Sequence, residues 1–116
     1  MDSELINKWI EYHTTKDQSL FWAWEALDEI IQNSPDEAFS YILEIASSTN
    51  NLEVLSNLGA GPLEDFLVLY GSTYIEQVET KARQVPQFTL VVKSVWQNAI
   101  ENSVWERVSA IQAKYS

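Results

Sequence analysis

The stretch LGAGPLEDFLVLYG, residues 58–71, combines residues that end and start helices with a dense apolar run. Glycine can adopt the left-handed conformation that closes a helix, so the two glycines before Pro62 predict a helix end. Proline suits the first turn of the next helix, where its missing N–H is not needed. Leu63–Tyr70 is apolar on almost every side, which predicts a central buried helix that ends at Gly71.

Apolar residues continue at helical spacing on both sides of this stretch. The sequence Ser34-Pro35-Asp36-Glu37 predicts a helix start, with serine as cap, proline first and glutamate closing a capping box. Further helices are predicted to begin near Asp17 or Ser19, after Asn51, at Ser72 or Thr73, and at Pro86. The residues expected to face inward include Trp9, Leu20, Trp24, Leu27, Ile31, Phe39, Ile42, Leu52, Leu55, Leu58, Ile75, Val78, Phe88, Val91, Trp96, Val104, Trp105 and Val108.

These elements predict an all-α fold, a compact bundle of seven or eight short helices. Loops of two to five residues imply antiparallel neighbours. A short stack of helical hairpins is the alternative, although no repeat period is visible. The chain of 116 residues suits one domain, 1–116, and can bury a core without disulfides or a structural metal.

Carboxylates dominate the first two-thirds of the chain. Between Asp17 and Thr80 there are twelve acidic residues and no lysine, arginine or histidine. Residues 1–58 hold eleven acids and two lysines, so this half carries most of the net charge of −10. Such a run lacks the Glu–Lys pairs that support helices by ~0.2–0.5 kcal/mol each. Its negative field attracts a basic partner and repels nucleic acid, unless the acidity serves solubility alone.

Composition narrows the chemistry that we expect. Cysteine is absent, which excludes a disulfide framework and a thiolate zinc site. The N-terminus has acids where a signal peptide needs cations, and no apolar run reaches membrane-spanning length. We therefore expect a cytoplasmic protein that does not bind a membrane.

The corner at Pro62 precedes a predicted helix start, where free N–H groups can bind anions. Here, however, proline removes a donor, and Glu64 and Asp65 add negative charge. We interpret it as a tight turn whose acids stabilise the helix dipole by ~0.3–1 kcal/mol each. A structural ion pair from one of these acids to Arg107 or Arg83 is expected.

His13 is the only histidine, and it falls on the apolar stripe of the first helix. We predict a residue at the edge of the core, because a metal would need carboxylates as nearly all its other ligands and no Glu-x-x-His occurs. The pairs Glu25/Asp28 and Glu76/Glu79 are interpreted as solvated faces, with Glu79 able to pair with Arg83. Without a cysteine, a G-x-S-x-G motif or a second histidine, we expect no enzyme activity and no cofactor.

Trp22 is predicted to be an exposed anchor for a partner. At 100° per residue it lies about 160° from Trp24, on the polar side of its helix beside Glu25 and Glu29. A tryptophan inside a charged rim is typical of a protein interface, although Trp22 could equally pack under the first helix. The predicted partner-binding residues are Trp22, Glu25, Asp28, Glu29, Asp36 and Glu37.

The stretch Ala60-Gly-Pro-Leu-Glu-Asp65 resembles the signature of an uncharacterised bacterial family of short helical proteins, a domain of unknown function. Pro35-Asp-Glu-Ala38, Val95-Trp96 and Val104-Trp-x-Arg107 are similar to further pieces of that family, and the likeness runs from Trp9 to about Ile111. Gly59 and Phe66 depart from its usual alanine and leucine. The resemblance implies a helical bacterial domain, and it brings no established activity with it. The acids of the signature, the tryptophans and Arg107 resemble a structural network as much as a site, and the motif residues are Gly61, Pro62, Glu64, Asp65, Trp96, Trp105 and Arg107.

Taken together, these features predict an acidic protein-binding module. An immunity or antitoxin-type protein is the specific form, in which carboxylates of the second and third helices occupy the cationic site of a basic partner such as a toxin. The alternative is an interaction or scaffold subunit that binds through an apolar groove, with acidity serving only solubility.

Overall fold

The computed structural model describes residues 1–115 of the chain. Its helices are α1 (Ser3–Thr15), α2 (Phe21–Asn33), α3 (Pro35–Ser47), α4 (Leu52–Leu58), α5 (Glu64–Gln84), α6 (Pro86–Lys93) and α7 (Asn102–Lys114). A short 3-10 turn, Gln18–Leu20, precedes α2, and a π-helical turn, Gly59–Leu63, joins α4 to α5. No strand occurs within the described residues. The prediction of a compact all-α bundle is confirmed.

The helices surround one core of aliphatic and aromatic side chains. Helix α1 packs on α2, α3 and α4, and α5 packs on α7, α6 and α3. Trp9, Phe66 and Phe88 are the largest side chains that are fully buried. The radius of gyration is 13.2 Å, close to the ~13 Å expected of a compact domain of about this length.

Local sequence explains most helix starts. Asp2 accepts hydrogen bonds from the N–H groups of Glu4 and Leu5, and Asn51 caps α4 in the same way. Pro35 and Pro86 take the first turns of α3 and α6, as predicted. Ser34 stands at the cap position of α3, but its hydroxyl makes no capping bond, so the predicted capping box is wrong.

The glycines at 59 and 61 do not end a helix. Gly59 has an ordinary helical φ of −73°, and no glycine of residues 1–115 has a positive φ. The Glu64 N–H instead donates to the Gly59 carbonyl five residues back, so α4 and α5 run on through a π-helical turn that contains Pro62. The predicted left-handed helix end is therefore wrong. Position 59 needs glycine for another reason, since a Cβ there would overlap the Val91 carbonyl oxygen and keep α6 from approaching.

Helix α5 also continues through Gly71, so no helix ends there and none starts at Ser72 or Thr73. Gly71 is buried against Val104 of α7, where a side chain would not fit. The expectation that Leu63–Tyr70 is buried all round is likewise wrong, since Val68 and Leu69 are exposed.

Three other residues expected in the core lie at the surface. Leu52 is exposed, and Trp24 is 37% exposed. Trp96 is 71% exposed, because α6 ends at Lys93 and the tryptophan falls in the loop before α7. Trp105 is partly buried and packs against the core.

Candidate binding pocket

Helix α5 is joined to the end of α2 by one tyrosine. The Tyr70 hydroxyl donates to the carbonyl oxygens of Ile31 and Gln32, at 2.7 and 3.2 Å. These carbonyls belong to the last turn of α2, which has no partners for them within the helix. The contact brings the first turns of α5 beside the middle of α2, and with them the carboxylates of Asp65 and Asp28.

Asp28 and Asp65 line one small pocket. Gly61 and Pro62 of the π-helical turn form part of its wall, and Trp9 and Trp24 contribute indole rings. The centre of a water-sized sphere can occupy about 20 Å³ of it. A water molecule needs roughly 10–15 Å³ by this measure, whereas sites for small-molecule ligands are roughly 300–1,000 Å³ clefts. The pocket therefore has room for one or two small polar groups rather than for a metabolite.

The two carboxylates form an uncompensated negative pair. Burial is the main cause of a raised pKa at Asp65, and the neighbouring charges of Asp28 and Glu64 raise it further. Within residues 1–115 the salt bridges are Lys8–Glu11, Lys16–Glu53 and Arg107–Glu79, and none includes Asp28 or Asp65. No hydrogen bond of the described residues is donated to the carboxylate of Asp28 or of Asp65. Both are therefore free to accept from a ligand.

Trp9 forms a buried wall of the pocket. Its indole N–H is buried and has no hydrogen-bond acceptor among the described residues. A buried donor without a partner costs about 1–3 kcal/mol.

A row of aromatic rings connects the buried Trp9 with the exposed Trp24. Trp9 contacts His13 with 4.0 Å between ring centroids, and Tyr12 lies next to both His13 and Phe21. Phe21 stacks on Trp24, with centroids 5.2 Å apart and planes 10° apart. Aromatic pairs of this kind contribute ~0.5–1.5 kcal/mol beyond area burial. Trp24 is therefore held at the pocket by its neighbours although it is exposed.

His13 lies at the edge of the core, where it was predicted. Burial, and after it the charge of Lys16, lowers its pKa from the ordinary 6.5 to about 4, with Glu53 acting in the opposite direction. Its Nε2 atom is buried and has no partner among residues 1–115. No three histidine, aspartate or glutamate side chains of that part of the chain converge as metal ligands would.

Glu64 holds the loop between α6 and α7. Its carboxylate accepts from the Trp96 backbone N–H at 3.3 Å and from the Asn98 side chain at 2.7 Å. Asn98 has a positive φ of 41°, a conformation that asparagine tolerates better than most residues. Glu64 therefore fixes the backbone of the loop that displays the Trp96 ring.

A shallow cleft with both apolar and polar walls lies next to the pocket. Val68, Leu69 and Ala99 form its apolar part, and Gln32, Glu64 and Asn98 its polar part, while Asp65 borders both the cleft and the pocket. Leu69 is 47% exposed. We define the Asp65 face as Trp24, Asp28, Asp65, Val68 and Leu69.

The signature acids do not pair with arginine. Arg107 binds Glu79 through two hydrogen bonds of 3.0 and 2.5 Å, and Arg83 contacts Thr80. The expected ion pair from Glu64 or Asp65 to Arg107 or Arg83 is wrong, as is the expected Glu79–Arg83 pair. Arg107 lies on α7, which packs farther along α5, and reaches the Glu79 turn rather than the first turn.

The structure divides the predicted partner-binding residues among different surfaces. Trp22, Glu25, Glu29 and Glu37 are exposed, but only Asp28 enters the pocket. Glu29 borders a separate groove between α1, α2 and α3, with Asp2 and Tyr41. Asp36 accepts a hydrogen bond from the Tyr74 hydroxyl and so takes part in packing α3 on α5.

Sequence reasoning missed the pairing of Asp28 with Asp65 and the role of Trp24. One available signal was the helical spacing of Trp24, Asp28 and Ile31, which places them on one stripe of α2. The partner stripe on α5 could not be read, because the π-helical turn shifts the register of the residues around it.

Among the described residues, no helix has both the length and the apolar content to cross a membrane.

No curated protein and no solved structure matches the chain. The model of a family of unknown function, DUF6869, matches residues 11–116. That match covers most of the sequence, and the chain therefore belongs to the DUF6869 family.

Proposed function

We propose that this chain is an acidic module that binds a basic protein partner through the Asp65 face. The observation that carries this function is the pocket in which Asp28 and Asp65 converge beside the exposed Trp24. Ionised carboxylates that have no cation of their own attract one from outside, and partial burial strengthens the attraction. Tryptophan at the rim supplies the apolar area that interface anchors provide.

The wider charge distribution supports the same partner. The net charge is −10, and a field of this sign steers a basic protein toward the surface and raises its association rate. Two acids of the one-sided run are neutralised, Glu53 by Lys16 and Glu79 by Arg107. The acids of the run therefore do not form one uniformly charged surface. We assign the charge that binds the partner to Asp28 and Asp65 in the pocket.

An immunity or antitoxin-type role is the specific form of this function. The module would act in the bacterial cytoplasm, where its carboxylates would occupy the cationic site of a toxin and exclude the toxin's own substrate. Binding rather than catalysis is assigned to the pocket, because its room suits a single small group.

The test is affinity capture from a lysate of the source organism, at about 50 mM and then 500 mM salt. The variant Asp28→Asn/Asp65→Asn is compared with Glu25→Gln/Glu29→Gln. The second variant changes the net charge by the same amount, but its acids belong to α2 and lie outside the pocket. We expect a basic protein that the wild type and the Glu25/Glu29 variant retain at low salt and the Asp28/Asp65 variant does not. The captured protein is then purified, and its inhibition by the module is measured.

If both variants capture the partner equally well, the pocket has no role in binding. If both lose the partner equally, binding depends on the overall negative charge of the protein and not on the pocket. Trp24→Ala and Trp22→Ala add a further comparison. Because Trp24 borders the pocket and Trp22 is 41% exposed elsewhere on α2, the Asp65 face requires the larger loss from Trp24→Ala.

A scaffold subunit that binds through an apolar groove is the second candidate. It is favoured by the exposed Val68 and Leu69 in the cleft that Asn98 and Ala99 also line, with acidity serving only solubility. In that case Val68→Gln/Leu69→Gln abolishes capture, whereas Asp28→Asn/Asp65→Asn leaves it unchanged, and salt has little effect.

A further inference from the structure

We infer that the free protein forms a twofold-symmetric dimer in which the Trp96 ring of each copy inserts into the cleft of the other. The cleft is the one that Val68, Leu69, Ala99 and Asp65 line. Three observations carry the inference: an exposed tryptophan on a fixed loop, a cleft of matching chemistry on the same surface, and the distribution of charge along the chain. The dimer goes beyond the proposed function and does not depend on a basic partner.

The loop that carries Trp96 is held by side chains from two helices. Both polar atoms of the peptide bond before Trp96 are bound: Gln112 donates to the Val95 carbonyl oxygen at 3.0 Å, and the Trp96 N–H donates to Glu64 at 3.3 Å. Glu64 also accepts from the side chain of Asn98, whose φ is positive. Because this backbone is ordered in advance, little conformational freedom is lost when a second protein covers the loop.

The Trp96 ring has no place in the fold of its own chain. It is 71% exposed, and it does not line the cleft beside its loop. Its indole N–H donates to no acceptor among residues 1–115. Tryptophan is enriched among the residues that dominate protein interfaces, and a buried aromatic side chain removes roughly 150–250 Å² from water. A fixed loop that displays such a ring is suited to anchor a second protein.

The cleft matches a tryptophan side chain in size and chemistry. About 320 Å³ of it is open to the centre of a water-sized sphere, which is within the roughly 300–1,000 Å³ of sites that hold small ring compounds. Val68, Leu69 and Ala99 supply an apolar wall for the ring. The Asp65 carboxylate at the edge accepts from no described residue, and an indole N–H is a donor only. The ring and the cleft thus complete each other's contacts.

Ring and cleft occur together on one surface, which identifies a second copy as the occupant. Glu64 connects the two features, since it binds the Trp96 backbone and lines the cleft. In a twofold dimer the same patch of both subunits meets, so every contact is made twice. Each copy then supplies the ring that fills the cleft of the other.

The charge distribution favours contact through this part of the chain. Residues 1–58 hold eleven acids and two lysines, hence −9, whereas residues 59–116 hold six acids and five cations, hence −1. The ring and the apolar wall of the cleft belong to the nearly neutral half, so two copies can meet there with the least repulsion. The remaining repulsion between two chains of charge −10 is screened by salt. Salt should therefore strengthen the dimer, whereas it weakens capture of a basic partner.

The experiment is sedimentation velocity of the purified full-length protein from ~1 μM to ~1 mM, at ~50 and ~500 mM salt. Trp96→Ala removes the ring, and Val68→Gln/Leu69→Gln makes the wall of the cleft polar. Trp22→Ala, which removes an exposed tryptophan of α2, is the matched control. All the substituted side chains are exposed, and circular dichroism with urea unfolding verifies that each variant is folded.

We expect the wild type to dimerise at high salt with a dissociation constant of about 10–100 μM, because an interface of this size is a weak one. Low salt should weaken the dimer several-fold. Trp96→Ala and Val68→Gln/Leu69→Gln should each weaken it about tenfold or more, and Trp22→Ala should leave it unchanged. An equimolar mixture of the two defective variants should associate more tightly than either alone, since one intact ring still meets one intact cleft.

A wild type that is monomeric at all concentrations and both salts overturns the inference, as does a dimer that persists in Trp96→Ala. Failure of the two defective variants to complement each other also overturns it, since the ring then contacts something other than the cleft. None of these outcomes involves the basic partner. If the wild type is monomeric but capture of that partner depends on Asp28 and Asp65, the proposed function stands and only the dimer is lost.

Discussion

Gly71 of α5 lies directly against Val104 of α7, and a Cβ placed on the glycine would come within 2.8 Å of a Val104 methyl group. Helices can approach this closely only where one of them has no side chain. The same device operates at Gly59, where the backbone of α6 passes at Val91. At Gly61, by contrast, an added Cβ would have no neighbouring atom within 4 Å.

Substitution of the three glycines by alanine should therefore give three different results. Gly61→Ala should stabilise the protein by ~0.4–1 kcal/mol, because φ is not positive and the unfolded chain loses freedom. Gly71→Ala gains helix propensity but must displace the stiff Val104, so we expect a net loss of ~1–2 kcal/mol. Gly59→Ala should cost more, since it displaces backbone. Urea unfolding of the three variants measures this order, and a destabilised Gly61→Ala would contradict it.

The fold class was readable from the sequence, but the meaning of its glycines was not. Apolar spacing and the prolines at 35 and 86 correctly predicted helices and their starts. Glycine, however, serves both to turn a chain and to admit a neighbouring helix. Local sequence around Gly59 and Gly71 favours the first use, and only the distant Val91 and Val104 reveal the second.

The candidate site was predictable in its parts and not in its assembly. Asp28 and Asp65 were both singled out, yet they were assigned to different roles because they are far apart in the sequence. Their meeting depends on how α2 and α5 pack, which the Tyr70 hydroxyl fixes by a tertiary contact. Exposure of Trp24 was missed for a related reason, since its stripe on α2 faces a pocket rather than closed core.

Tyr70→Phe should weaken both the fold and the pocket. The variant keeps the ring, which contacts Phe66 and Tyr74, but removes the donor to the last carbonyls of α2. We expect a loss of ~1 kcal/mol in unfolding free energy, measured in urea, and weaker capture of the basic partner. Tyr12→Phe is the control, since the Tyr12 hydroxyl has no hydrogen bond among those of the described residues. Equal effects from both substitutions would contradict the specific role of Tyr70.

Protonation of His13 should destabilise the fold in mildly acidic solution. Its pKa falls from 6.5 to about 4 on folding, so below pH 6.5 the unfolded chain binds the proton more readily. Stability from this group is complete above pH 6.5, decreases as the pH falls toward 4, and is constant below that. The full linkage is about 3 kcal/mol, and partial exposure of His13 reduces our expectation to about 1–2 kcal/mol.

The measurement compares wild type with His13→Phe, which keeps an aromatic ring beside Trp9. The difference in unfolding free energy between the two proteins should change between pH 7 and pH 4 by the expected amount, while effects of the many carboxylates cancel. NMR titration of the only histidine gives its pKa directly. A value near 6.5 in the folded protein would refute the burial effect.

Asp65→Asn should stabilise the protein at neutral pH while it removes the binding site. Burial, with the charges of Asp28 and Glu64, raises the Asp65 pKa. Stability from such a group is present below its ordinary pKa of 3.8 and is lost as the pH rises through the raised folded value. The charged side chain therefore opposes folding at pH 7, and asparagine relieves the repulsion. Because Asp65 is only partly buried and solvent screens its charge, we expect a gain of ~0.5 kcal/mol or less.

This gain should disappear near pH 3, where Asp65 is protonated in both states and resembles its amide. Urea unfolding at pH 7 and pH 3 measures both effects, with Glu25→Gln, an exposed acid of α2 outside the pocket, as the control. If the site is kept for binding at some expense of stability, Asp65→Asn increases the unfolding free energy and decreases capture of the basic partner. If Asp65→Asn instead destabilises the fold at pH 7, the carboxylate is structural, and a cationic ligand is no longer needed to explain its place beside Asp28.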